Sequence, residues 1–284
     1  MAATAPETPR RPRVPRVVEV VDVQRLTPQM IRIVFGGAGL DGFDAGAFTD
    51  HYVKLQVPPR GATYGAPFDQ EDIRARLPQE QWPRTRTYTV RAWDAAAGRL
   101  TIDFVVHGDE GVAGPWAAAA APGDRLQFQG PGGAYAPDPS AAWHLLVGDA
   151  SVIPAISASL ARIPAGIPAH VLIEVEGPEE EQPLQTDGDL HLTWVHRDAT
   201  ARTGESEPLA EAVAALTFPD GPVQAFVHGE ASAVRAVRRH LLVDRALPRE
   251  AVSISGYWKR TRTEEGWRED KADWNRQVEE DAVV

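Results

Sequence analysis

None of the 284 residues is cysteine, which removes disulfides, thiolate metal sites, c-type haem attachment and iron–sulfur clusters together. Redox chemistry in such a chain has to use a bound organic cofactor. No apolar run approaches the roughly 20 residues needed to cross a bilayer. The Pro- and Arg-rich N-terminus has no apolar stretch of the signal-peptide kind, so the expected location is cytoplasmic, away from membranes. Basic residues are outnumbered, with 29 Lys and Arg against 40 Asp and Glu and a net charge of −11. This balance argues against nucleic acid as a partner, because phosphate neutralisation needs a clustered basic surface. The C-terminal half has no G-x-G-x-x-G fingerprint, and no G-x-S-x-G or H-E-x-x-H motif marks a hydrolase.

The chain that remains has two textures. Residues 17–129 carry six short alternating runs, at 17–23, 30–35, 51–57, 85–91, 99–106 and 125–129, separated by turn residues. Six short strands with little helix predict an antiparallel six-stranded β-barrel. The long excursion 58–83, rich in Pro, Gly and charge, reads as a surface insertion. Beyond about Ser140, strand-like runs at 144–148, 171–175, 190–195, 225–228 and 252–255 alternate with helical patterns at 155–163, 208–216 and 231–242. That alternation predicts an α/β domain with a parallel sheet, whose ligands sit beyond the C-terminal strand ends. The expected domains are a disordered tail at 1–13, a barrel at 14–137 and an α/β domain with a C-terminal helix at 138–284. Arg10, Arg11, Arg13 and Arg16 belong with the basic tail, and the acid-rich stretch 176–189 reads as a solvated loop.

The run Arg86-Thr87-Tyr88-Thr89-Val90-Arg91 puts two guanidinium groups, a phenol and hydroxyls on one strand-prone segment. Side chains two apart share a face, so Arg86 and Tyr88 can point the same way. Arg86 suits a forked contact with a pyrophosphate, Tyr88 offers a flat surface for an isoalloxazine ring, and Thr89 can bond the ring edge. The competing reading is a plain antiparallel strand with Tyr88 in the core. Val106-His107-Gly108 then leads to Gly111-Val112-Ala113-Gly114-Pro115-Trp116, a helix-start signal whose N–H groups suit a phosphate. His107 either touches the flavin or closes a strand, and Trp116 reads as packing behind the turn. In the second half, Gly148-Asp149 and Gly229-Glu230 each join a strand to a helix, where the acids can cap the helix or border a nicotinamide.

In order along residues 14–280, these motifs, with Gly148 to Ile156 and Ser255-Gly256-Tyr257-Trp258-Lys259-Arg260, resemble the siderophore-interacting protein family. These are flavin-dependent ferric-siderophore reductases of the ferredoxin-reductase-like group. The resemblance implies FAD, held by Arg86, Tyr88, Thr89, Val106, His107, Gly111, Val112, Ala113, Gly114 and Trp116. It implies NADH or NADPH as donor beside Gly148, Asp149, Gly229, Glu230, Tyr257 and Trp258, with a ferredoxin as a further candidate donor. Hydride passes to flavin N5 and single electrons to Fe(III), so no acid–base residue is demanded. Lys54, Lys259, Arg260 and Arg262 form the expected basic pocket for an anionic ferric siderophore. Where some relatives carry an arginine this chain has Gly130-Pro131-Gly132-Gly133, implying a roomier or less positive pocket. Two other readings share these motifs: a general flavin or ferredoxin reductase, and a flavin-bearing siderophore binder reduced by another protein.

Overall fold

The computed structural model describes residues 15–109, 111–197 and 207–281; the N-terminal tail expected at 1–13 lies outside them. The first half holds β1 (Arg16–Thr27), β2 (Met30–Gly36), β3 (Tyr52–Val57), β4 (Arg84–Thr89), β5 (Ala92–Asp94), β6 (Arg99–Val105) and β7 (Arg125–Gly132). They pair antiparallel in the order β4-β3-β7-β1-β2-β6-β5. Alternation sets the register. Ile31, Ile33 and Phe35 of β2 lie opposite Phe104, Ile102 and Leu100 of β6. All six are buried, each contributing about 1.5–3 kcal/mol of burial. On the opposite face Arg32 forks onto Asp103 at 2.7 and 2.8 Å.

The sheet has seven strands where six were expected. The extra one arises because the run through Arg91 does not stop there. At Val90 the backbone N–H still bonds His51 O beside β3, whereas at Arg91 it bonds Thr101 O of β6. One bent segment therefore occupies both edges of the sheet and closes the barrel, which abolishes the exposed edges. Two short helices attach to it. α1 (Gln70–Arg76) lies in the 58–83 excursion, capped by Asp69 accepting from the Glu71 and Asp72 N–H groups. α2 (Ala113–Ala119) follows β6.

The second half is a parallel sheet of β8 (Trp143–Asp149), β9 (Pro168–Val175), β10 (Asp189–His196), β11 (Val223–Glu230) and β12 (Val252–Trp258). Its order is β10-β9-β8-β11-β12. Every residue of β8 is buried, as a central strand covered on both faces requires. The covering helices are α3 (Ile153–Leu160), α4 (Pro208–Ala215), α5 (Ala231–Arg239) and α6 (Glu264–Glu280). Strand order reverses between β8 and β11, which opens a crevice at their C-terminal ends. Among the described residues no helix is long and apolar enough to cross a membrane.

The halves share a core. Met30 of the barrel is buried in one cluster with Leu146, Val152 and Ile153. The 176–189 stretch is not uniformly solvated. Glu180 is 4% exposed and accepts from the Thr27 hydroxyl at 2.5 Å and the Gln29 N–H at 3.0 Å. A carboxylate in this acidic run is thereby a buried interdomain tie, because two barrel donors complete its hydrogen bonds.

Candidate functional site

The barrel strand β4 and the crevice of the parallel sheet meet. Arg86 and Tyr88 pair with Leu55 and Val53 of β3, which are both buried, so the two share the inward face as expected. Tyr88 is half-buried and tilts against Phe104 at a centroid distance of 4.4 Å. Packing therefore holds one side of the ring in place, and burial raises its hydroxyl pKa. Thr89 is buried, and its side chain acts across the domain boundary on the Tyr257 hydroxyl, lowering a pKa that burial raises. From Tyr257 the connection runs on to His228 Nδ1 at 3.2 Å, and His228 Nε2 lies 3.1 Å from Ser253 Oγ. Burial pushes the His228 pKa down to about 3, with the positive charge of Lys271 adding to the effect. The imidazole is neutral near pH 7.

Arg86 is committed on its other side. Its Nη1 donates to Thr85 O and to Glu265 Oε1 of α6, both at 2.9 Å. Beyond β6, Val106 and Val112 pack on the barrel core, whereas the His107 imidazole is exposed. Gly108 and Gly111 adopt φ +56° and +78°, with open space where a Cβ would lie. Such a turn admits a phosphate closely. It leads through Val112 into α2, whose first residues are Ala113 and Gly114. Trp116 stacks on Phe35 at 6.4 Å, in the packing role expected of it. A cleft of about 400 Å³ between the 58–83 excursion and α2 is lined by Gly65, Ala66, Trp116, Ala119, Gly123, Asp124 and Arg125. These features fit an elongated, diphosphate-bearing flavin.

On the sheet side the acids serve the protein itself. Asp149 Oδ1 accepts from Ser151 N and Oγ at 2.9 and 2.6 Å, and Oδ2 from Glu230 N and Trp258 Nε1 at 2.7 and 3.0 Å. Four donors fill a carboxylate's capacity, so the capping reading of Asp149 holds and a ribose contact by this side chain does not. Glu230 Oε2 caps α5 through the Ser232 and Ala233 N–H groups at 2.7 and 3.0 Å. Its Oε1 accepts from Arg260 N at 3.0 Å. The glycines make room for this latch. A Cβ at Gly148 would meet Val152 Cβ at 2.7 Å, and one at Gly229 would meet Asp149 Oδ2 at 2.4 Å.

The expected basic pocket is rearranged. Arg260 pairs with Glu207 at 2.5 Å and Glu230 at 3.6 Å, and Arg262 with Asp270 at 2.7 Å, so neither guanidinium joins Lys54. The local acids, invisible in the linear order, capture them. Lys259 is half-buried. Lys271 of α6 is a cation within reach of the Lys54 charge: burial lowers its pKa, Glu264 opposes this, and Arg268 and Lys54 add to the lowering. The sequence contains three lysines, 54, 259 and 271, a scarcity that singles out Lys271. Space beside Gly132 is not enlarged either: a Cβ there would fall 2.6 Å from the Tyr52 ring.

Comparison with known proteins agrees with this geometry. Residues 19–135 match the family model of the siderophore-interacting FAD-binding domain, and residues 141–261 match that of siderophore-interacting proteins. Ferric vibriobactin reductase ViuB of Vibrio cholerae is 32% identical over 252 residues, covering 87% of this chain and 90% of its own. The NADPH-dependent ferric-chelate reductase of Escherichia coli is 29% identical over 83% of this chain and 89% of its own. The crystal structure of a siderophore utilization protein from T. fusca superposes with a TM-score of 0.75 at 35% identity, covering 89% of this chain and 95% of that one. A flavin barrel joined through Thr89 and Tyr257 to a parallel sheet, matched along both halves, places this chain in the siderophore-interacting protein family.

Proposed function

We propose that the protein is an FAD-dependent reductase that draws electrons from NADH or NADPH and delivers them to Fe(III) held in a siderophore. The observation that carries this reading is the joint Thr89–Tyr257–His228, which sets the flavin strand of the barrel against the ligand-binding crevice of the parallel sheet. Bound FAD supplies the conversion between a two-electron hydride donor and a one-electron acceptor. The chain's own residues position the partners. Arg86 and the Gly111–Gly114 turn hold the diphosphate, Tyr88 and Thr89 the ring, and the cleft beside Gly65 and Trp116 the adenine end. Arg86 exchanges Glu265 for the diphosphate or holds both through its several donors.

Lys54 and Lys271 form the cationic surface that attracts an anionic ferric siderophore in an otherwise acidic protein. Hard oxygen ligands favour Fe(III) over Fe(II), so reduction loosens the metal. The reaction belongs in the cytoplasm, where nicotinamide donors are kept reduced. Anaerobic titration of the FAD-loaded protein tests the proposal. Either reduced nicotinamide bleaches the flavin spectrum, and a ferric siderophore then restores it with release of Fe(II) to a chelator. Restoration by neither catecholate nor hydroxamate complexes overturns the substrate. Bleaching only by a reduced ferredoxin makes the donor a protein.

A further inference from the structure

One end of the parallel sheet carries more acid than its own architecture uses. Glu174 closes β9 directly beside Asp149 of β8. Its Oε1 accepts from Arg197 Nε and Nη2 at 2.8 and 2.7 Å, while Oε2 is buried and has no hydrogen-bond partner. The Glu174 side chain is 4% exposed. Arg197 Nη1 also contacts Glu176 at 3.2 Å. Across the crevice stand Glu207, Glu230 and Arg260. Burial raises the pKa of the Glu207 carboxyl, Arg260 pulls it back, and Glu230 and Glu174 add to the rise. Arg260 Nε is likewise buried without an acceptor. The cluster thus holds a buried acceptor and a buried donor that the protein leaves unpaired, and a buried unpaired oxygen is costly until a donor reaches it.

The position decides which donor. In open α/β sheets a dinucleotide crosses the strand ends at the switch point, and an acid closing the second strand bonds the adenosine ribose 2′-hydroxyl of NAD, whereas a free arginine there accepts the 2′-phosphate of NADP. Here β8 is the first strand, β9 the second, and Glu174 the acid. The two arginines are not free: among the described residues they face four carboxylates, Glu174, Glu176, Glu207 and Glu230. Tyr257, at the other side of the crevice, leaves the nicotinamide end next to the flavin strand. Resting on the nicotinamide reading above, we infer that Glu174, supported by Glu176, selects NADH over NADPH by binding the ribose 2′-hydroxyl and repelling a 2′-phosphate. This differs from what the name of the E. coli relative states for that protein.

Calorimetric titration of the FAD-loaded protein tests the inference with no turnover involved. The probes are NAD⁺ against NADP⁺, and 5′-AMP against 2′,5′-ADP, which isolate the adenosine end. The unphosphorylated member of each pair binds at least about tenfold more tightly, a difference of about 1.4 kcal/mol. Glu174→Gln weakens NAD⁺ and narrows the ratio. Because that change disturbs Arg197, Glu176→Gln on the open side of the pair is the companion, with retained FAD as the folding control, and it narrows the ratio by improving NADP⁺. Equal or tighter binding of the 2′-phosphorylated ligands by the wild type, or an unchanged ratio in both folded variants, overturns the selectivity. Flavin bleached by NADPH faster than by NADH defeats this inference and leaves the reductase intact, whereas bleaching by neither defeats both.

Discussion

Gly229 shows how one missing Cβ shapes the nicotinamide side. Its φ of +129° suits glycine alone, and an added methyl would stand 2.4 Å from the Asp149 carboxylate, displacing the acceptor of the Glu230 N–H and the Trp258 indole. Gly229→Ala is expected to cost about 2 kcal/mol or more from strain and orphaned donors, read as a lower urea midpoint. His228 makes a pH prediction. Its folded pKa of about 3 lies below the unfolded value of about 6.5. The unfolded chain therefore binds the extra proton between those values, and stability falls as pH drops from about 6.5 toward 3. His228→Gln should flatten this part of an acid-denaturation curve relative to wild type. The proposed hold of Arg86 on the diphosphate is a charge-assisted contact of the kind worth about 1.5–3 kcal/mol, so FAD affinity of Arg86→Ala, followed by flavin fluorescence, should drop at least about tenfold.

The helix α6 illustrates how an element far along the chain enters the site. Trp267, Trp274 and Val278 are buried at helical spacing, and Trp267 packs so closely on β12 that a Cβ at Gly256 would meet its ring at 2.8 Å. Thr263 caps the helix through the Gly266 N–H at 3.2 Å. The neighbouring stripe of Glu264, Glu265, Arg268 and Lys271 then faces the barrel, with Glu265 on Arg86 and Arg268 on Thr85 O at 2.6 Å. Since burial lowers the Lys271 pKa, this cation is lost at a pH below the ordinary lysine value. The apparent KM for an anionic ferric siderophore should therefore rise as pH climbs toward that range. Lys271→Gln should raise KM already at neutral pH and remove the pH dependence, with flavin bleaching by nicotinamide little changed. Steady-state kinetics on a catecholate and a neutral hydroxamate complex separate charge from packing.

The whole molecule unfolds as a unit if its halves depend on each other, and three contacts say that they do. Met30 lies in the cluster of Leu146 and Ile153, Thr49 meets Ser159 at 2.8 Å, and Glu180 holds Thr27 and Gln29. Scanning calorimetry should show one cooperative transition for the intact chain. Glu180→Ala leaves a buried hydroxyl and N–H unpaired, a loss of about 1–3 kcal/mol each at most. The variant should melt earlier, with the barrel and sheet transitions beginning to separate.

Local chemistry by itself determined the barrel, the parallel sheet and the β4 and α2 motifs, because strand alternation, turn residues and helix starts act over a few neighbouring positions. Even the capping roles of Asp149 and Glu230 could be read from a strand followed by a helix. Tertiary structure decided the rest, since each remaining feature joins groups distant in the chain. It turned the Val90–Arg91 segment into a second sheet edge, buried Glu180 within an acidic run, and drew Arg260 and Arg262 onto Glu207 and Asp270. It also placed Lys271 where the charge of Lys54 acts on it. A charge's partner depends on which carboxylate folding places within a few ångströms, and Coulomb attraction at that range outweighs proximity along the sequence.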